Sequence, residues 1–255
     1  MPTLQASKKF SLLPFIYINS VTLFLSFAFI KILSPSIWQM QLSASWQLLL
    51  GTFACVHLFN AFIEYFFHRY ALHVDIIPVF KHFYEQHTLH HDHTRVERDG
   101  IYAYNTYPII DPSQYEASFF PWYTLILFSV CFTPLFILIH LLAPSIPIFI
   151  SGYTALFASV VLYELFHAAF HLPLSKWDRL FAQKYIGSFW KIVYMFHLRH
   201  HANIRCNESV SGFFGLPIPD VLFKTYIQSN TLFPHKRLVD AKEFTAPQKP
   251  IFFIR

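Results

Sequence analysis

Ten of the fifteen histidines in this 255-residue chain fall into four groups with regular spacing. His68 and His73 form HxxxxH; His87, His90 and His91 form HxxHH; His167 and His171 form HxxxH; His197, His200 and His201 form a second HxxHH. On a helix, residues three and four apart share a face with Cβ atoms about 5–6 Å apart, so HxxxH and HxxHH can aim imidazoles at a common point. HxxxxH cannot do this on an ideal α-helix, because five residues turn through about 500° and leave the side chains about 140° apart. His73 is therefore expected where its helix frays or ends, with Asp75 and Pro78 as the stop. Clustered imidazoles bind transition metals. Zinc takes about four ligands and octahedral iron about six, so ten imply two ions, and imidazole alone admits Zn, Cu, Fe or Ni.

Chance weighs differently on each group. At this histidine frequency about one HxxxH is expected at random, whereas each HxxHH is expected about 0.05 times, so two together have odds on the order of one in a thousand. Glu64 lies four residues before His68 and Glu164 three before His167, both at membrane depth, where an ionisable residue is rarely idle. Each is expected to accept the outer N–H of a ligating histidine and fix its tautomer. His82 and His93 flank the second group and are candidates for a supporting or ligating role. His57 and His140 fall inside apolar runs and are expected to be packed or hydrogen-bonded, and His235 in the basic tail to be solvated.

The elements that must carry these residues are apolar. The chain is 55% hydrophobic, 20% aromatic and 13% charged, which is unlike a soluble globule. No residue ionised at neutral pH lies between Lys9 and Lys31, between Lys31 and Glu64, or between Glu116 and Glu164, and each run is long enough to span a bilayer. Four spans follow: about Phe15 to Leu33, stopped by Ser34-Pro35-Ser36; a long helix from Trp46 that carries His68 and His73 out into water; about Trp122 to Ala143; and, after the tight Pro144-Ser145-Ile146-Pro147 turn, about Phe149 to Phe170. The first span reads as a retained anchor rather than a cleaved signal. The third and fourth form an antiparallel hairpin. Residues 174–195 mix aromatics with Lys and Arg and suit helices lying at the membrane interface.

This predicts an all-α integral membrane protein: a four-helix transmembrane bundle with a cytoplasmic histidine-rich helical cap. Residues 1–14 would be a cytoplasmic tail, 15–225 the membrane catalytic domain and 226–255 a second cytoplasmic tail. Of the 19 Lys and Arg only Lys31 falls near the far face, so the positive-inside rule puts the histidines on the cytoplasmic side. The net charge of +5 is scattered along loops rather than arranged in a stripe, so no nucleic-acid partner is expected. Cys55, Cys131 and Cys206 are odd in number, and the first two lie in apolar runs, so no disulfide framework is suggested.

Four spans carrying HxxxxH, HxxHH, HxxxH and HxxHH in that order resemble the fatty acid hydroxylase superfamily of membrane di-iron oxygenases. The stretch IEYFFHRYALH, Ile63 to His73, is similar to the entry of the catalytic domain of fatty acid 2-hydroxylases, and the resemblance covers roughly residues 46–225. HxxxxH favours the fatty acid or sphingolipid hydroxylase branch over sterol desaturases and carotenoid hydroxylases. The fungal and animal 2-hydroxylases carry an N-terminal cytochrome b5 domain with an HPGG motif that has no counterpart here. The segment between His73 and His87 is short, and NESVSGFFGLPIPDVLF after the last box is more like the wider superfamily.

The resemblance implies two iron ions on the ten histidines, with zinc able to replace them in a purified or recombinant sample. It implies an O₂-dependent monooxygenase that hydroxylates a C–H bond of a fatty acyl or sphingolipid-like substrate, fed by an external donor such as a cytochrome b5 or ferredoxin system. The membrane would be the endoplasmic reticulum in a eukaryote and the inner membrane in a bacterium. Within the superfamily the alternative is a lipid or sterol desaturase or a carotenoid hydroxylase. A metal transporter or storage protein is more remote, since translocation ligands belong near the midplane, and a structural zinc site leaves six histidines unexplained.

Overall fold

Apolar composition and proline punctuation determine where the long helices start and stop. The computed structural model describes residues 11–75, 78–232 and 238–246, so the terminal segment Met1 to Lys9 and His235 lie outside the described residues. Among the described residues, four helical stretches are long and apolar enough to cross a membrane. They are α1 (Leu13–Leu33), α3 (Trp46–Phe66) with a π-helical continuation over Phe67–Leu72, α6 (Thr124–Leu142) and α7 (Ile148–Phe170). The centre is α7: 56% of its most apolar stretch is buried, against 6%, 17% and 11% in the others.

Pro35 does more than stop α1. It opens a short helix, α2 (Pro35–Leu42), at its first turn, where a missing N–H and a fixed φ are no disadvantage. From α2 the buried Gln41 reaches the start of α7. Its Oε1 accepts from the Phe149 and Ile150 N–H at 3.0 and 3.2 Å, satisfying amides that a helix start leaves without partners. The α6–α7 hairpin packs Leu125, Phe132 and Phe136 against Ile148, Phe149, Tyr153, Leu156 and Val160.

Beyond the bundle ends lie α4 (Lys81–His93), α5 (Pro112–Ser118), α8 (Leu174–Phe181), α9 (Gly187–Ala202) and α10 (Ile218–Leu222). The described residues are mostly helical, 67% helix and 4% strand. The expectation of a mostly helical protein with four long apolar helices holds, with one antiparallel hairpin added, β1 (Val96–Asp99) with β2 (Tyr102–Asn105). Its two-residue loop opens on Gly100 at φ 59°, and glycine at the first loop position is what such hairpins favour.

Residues 174–195 divide their aromatics between two environments. Trp177 and Tyr194 turn inward to a second core with Tyr107, Phe170 and Leu198, and the Trp177 indole donates to the Ala169 carbonyl at 3.2 Å. Tyr185, Ile186 and Phe189 remain exposed beside Lys184 and Lys191.

Gly152 lets α7 approach α6 closely, since a Cβ there would lie 2.7 Å from the Phe136 ring. Gly152→Ala is expected to cost about 1–3 kcal/mol through overpacking, read as a lower thermal midpoint in detergent. An unchanged midpoint would contradict this packing.

Candidate metal centre

The HxxxxH spacing is accommodated by a change of helix type. Over Phe67–Leu72 the backbone winds as a π-helix with His73 as the cap residue beyond it. A π-turn hydrogen-bonds residues five apart and so places them on one face. HxxxxH then behaves as HxxxH with one residue inserted and absorbed, and the His68 and His73 rings come to 4.9 Å between centroids. The helix does end at His73, as expected, but its last turn is rewound rather than frayed.

The ten histidines gather into two groups of five. His68, His73, His87, His91 and His200 form one, and His90, His167, His171, His197 and His201 the other; within each, the ligand nitrogens all lie within 4.8 Å of one another. Each HxxHH is divided between the groups, contrary to the expectation of one common point. Positions i and i+4 serve one group while i+3 serves the other, because i+3 and i+4 project about 100° apart on an α-helix. Thus α4 and α9 each contribute to both groups, and His91 stacks on His201 across the boundary at 4.2 Å between ring centroids.

In the first group the Nε2 atoms of His68 and His87, His73 and His200, and His91 and His87 are 3.0, 3.1 and 3.1 Å apart. In the second, His167 and His90, His171 and His197, and His201 and His197 are 3.1, 3.1 and 3.2 Å apart. Nitrogens bound at right angles to one ion at about 2.1 Å lie about 3.0 Å apart, so these contacts have the dimensions of neighbouring ligands.

The outer nitrogens decide which atom faces inward. Nδ1 of His68, His171, His200 and His201 contacts the carbonyls of Glu208, Tyr107, Cys206 and Thr94 respectively. A carbonyl only accepts, so these Nδ1 atoms carry the proton and their Nε2 lone pairs point into the groups. Ser118 acts likewise: its hydroxyl donates to the Gln114 carbonyl and so accepts from His90 Nδ1 at 2.7 Å. Burial, reinforced by neighbouring imidazoles, holds His73, His87, His90, His91, His197, His200 and His201 well below the ordinary imidazole range. Burial brings His171 down to about 3. Neutral rings with inward lone pairs are the state that binds a cation, and each group can hold a metal ion.

The expected partners of the ligating histidines are corrected. Neither Glu64 nor Glu164 hydrogen-bonds a histidine. Glu64 Oε1 accepts from the N–H of Val210, Ser211 and Gly212 at 2.6, 2.9 and 3.1 Å, and its other oxygen from the Ser211 hydroxyl. Glu164 Oε1 accepts from the Phe120 N–H at 2.7 Å. Both carboxylates lie one helical turn deeper than the histidines, while the outer ring nitrogens point towards the loops. His82 is exposed, His93 is partly buried, and neither joins a group. Of the span histidines, His57 is buried against Ser159 Oγ at 2.9 Å, and the His140 ring lies tilted against that of Phe149 at 5.4 Å between centroids.

Sequence reasoning passed over the loop 206–226 that supplies two of the carbonyls. Asp220 accepts from the Glu208 and Ser209 N–H at 2.8 Å each, Arg69 pairs with Glu208 at 2.8 Å, and Glu64 holds residues 210–212. Gly212, at φ 50°, has no room for a Cβ, which would meet the Leu216 carbonyl at 2.4 Å. The acidic and glycine positions were visible in NESVSGFFGLPIPD; main-chain carbonyls have no side-chain signature.

One turn deeper than the groups, a cavity opens between α3, α6 and α7. Ile63, Phe67, Phe128, Phe132, Leu156 and Val160 supply its apolar wall, with Asn60, Glu64, Ser159 and Tyr163 also in the lining. The space between atoms there amounts to about 480 Å³, counting what is open to the outside. The Tyr163 ring, in the lining, stands 5.8 Å from that of His167, so one side chain separates the cavity from the second group.

Comparison with known proteins finds no family model, curated protein or solved structure that matches the chain.

Glu64→Ala should release the Val210–Gly212 turn and, through the Glu208 carbonyl, the orientation of His68. Metal affinity of the first group is expected to fall about 10–100-fold with the second unchanged, as measured by competition with a chelator. Equal retention by both groups would show that the carboxylate has no positioning role.

Proposed function

We propose that the chain is a membrane-bound, O₂-dependent oxygenase that hydroxylates a C–H bond of a lipid, with one iron ion in each five-histidine group. The observation that carries this reading is an all-histidine double site at the ends of α3 and α7 with a largely apolar cavity one turn deeper in the bundle, Tyr163 standing between the two. The order of the four histidine boxes, similar to that of the fatty acid hydroxylase superfamily, supplies the choice of iron. When bound, an iron pair supplies redox and O₂ chemistry that no side chain provides.

The protein's part is positional. Carbonyls of Glu208, Tyr107, Cys206 and Thr94 keep the ligating nitrogens deprotonated towards the metal. The Phe67, Phe128 and Phe132 walls take an alkyl chain and keep water from it, while Tyr163 and Phe120, stacked at 4.6 Å, line the side of the cavity nearest His167. Electrons come from a separate carrier. The concentration of Lys and Arg on the histidine side supports a cytoplasmic site. His57 and His140 join neither group, which weighs against a metal-translocation path through the spans.

Cells expressing the chain are expected to accumulate lipids heavier by one oxygen atom, by mass spectrometry, and His90→Ala or His200→Ala each to abolish that product with membrane insertion retained. Loss of two hydrogens instead would assign a desaturase. Lipids unchanged between expressing and non-expressing cells would overturn the reading.

A further inference from the structure

The inner end of the cavity carries a polar network whose hydrogen-bond bookkeeping does not close. Ser159 Oγ donates its single hydrogen to the Ala155 carbonyl at 2.8 Å. It can therefore only accept from its other two neighbours, Asn60 Nδ2 at 3.1 Å and His57 Nδ1 at 2.9 Å. This fixes the Asn60 amide with its NH₂ on Ser159, and it fixes His57 as the Nδ1–H tautomer. Two acceptors then remain. Asn60 Oδ1 and His57 Nε2 are both buried without a partner among the described residues, and Asn60, 5% exposed, lines the cavity.

The imbalance has one sign, an excess of acceptors, at a depth where lipid tails offer no donor. Glu64, one turn nearer the metal groups, does not alter this, because its oxygens are filled by the 210–212 turn. What the inner end lacks is a hydrogen-bond donor, and the apolar wall above it excludes a charged one.

We propose that the cavity receives an apolar molecule that carries a neutral hydroxyl, inserted hydroxyl-end first so that the O–H donates to Asn60 Oδ1. This rests on the lipid-oxygenase reading and names its substrate class: a long alcohol rather than a bare hydrocarbon chain. Asn60 is eight residues before His68, about 12 Å along the helix at about 1.5 Å per residue. The carbon presented to the histidine groups is therefore about that far from the hydroxyl. Asn60 is a specificity-determining residue and takes no part in holding metal.

The test is binding to the full-length protein in nanodiscs, using a long-chain primary alcohol, its methyl ether and the matched alkane. The alcohol is expected to bind about tenfold more tightly than the ether, since an acceptor left unpaired in a buried site is penalised by about that factor. Asn60→Leu is expected to remove the preference while metal content is kept. Equal binding of alcohol and ether to the wild-type protein overturns this proposal, with a trapped water then satisfying Asn60, whatever the fate of the variant. That outcome leaves lipid oxidation standing if oxygenated lipids still form in cells; binding of none of the three together with no oxygenated product overturns both readings.

Discussion

Bare imidazole nitrogens that face one another at 3.0–3.2 Å repel unless a proton or a cation lies between them. Burial disfavours the proton, since it penalises a charged ring in proportion to the water removed. The rest of the cap follows from this constraint. Loop carbonyls hold His68, His171, His200 and His201 as Nδ1–H tautomers, so their lone pairs have only the group interior to face. The long apolar helices then hold two such interiors side by side, joined where His91 stacks on His201.

The carbonyls must themselves be held, and that task falls on buried acids. Asp220 caps the turn at Glu208 and Ser209, Glu64 caps the next three amides, and Arg69 neutralises Glu208. A carboxylate accepting several backbone N–H groups fixes main-chain geometry more tightly than one bonded to a mobile ring. Behind α9, the buried Arg199 serves the same end. It donates to the Lys242 and Thr245 carbonyls at 3.3 and 2.6 Å and lies 3.6 Å from Glu243, which ties residues 241–245 against the helix that carries His197, His200 and His201.

Much of this was legible in the residues. Uncharged runs located the four long helices to within a few residues, and histidine spacing singled out the ten rings that the fold gathers. The 2:1 division of each HxxHH also follows from helix geometry, since adjacent positions project about 100° apart, and expecting a single focus neglected it. The π-turn was not legible: FHRYAL has no residue that demands it, and only the need to align His68 with His73 selects it. Nor was the role of Glu64, because which carboxylate meets which amide depends on where a loop 146 residues away in sequence folds back.

The proposed activity depends on both groups being occupied at once, since ten imidazoles around one ion would leave the division between His90 and His91 without purpose. Metal stoichiometry by elemental analysis, on protein purified from iron-supplemented cells, tests this most directly. Two metal equivalents per chain, falling to one in either His91→Ala or His171→Ala, is the result expected from two independent five-histidine groups. A single equivalent in the unaltered protein would contradict it.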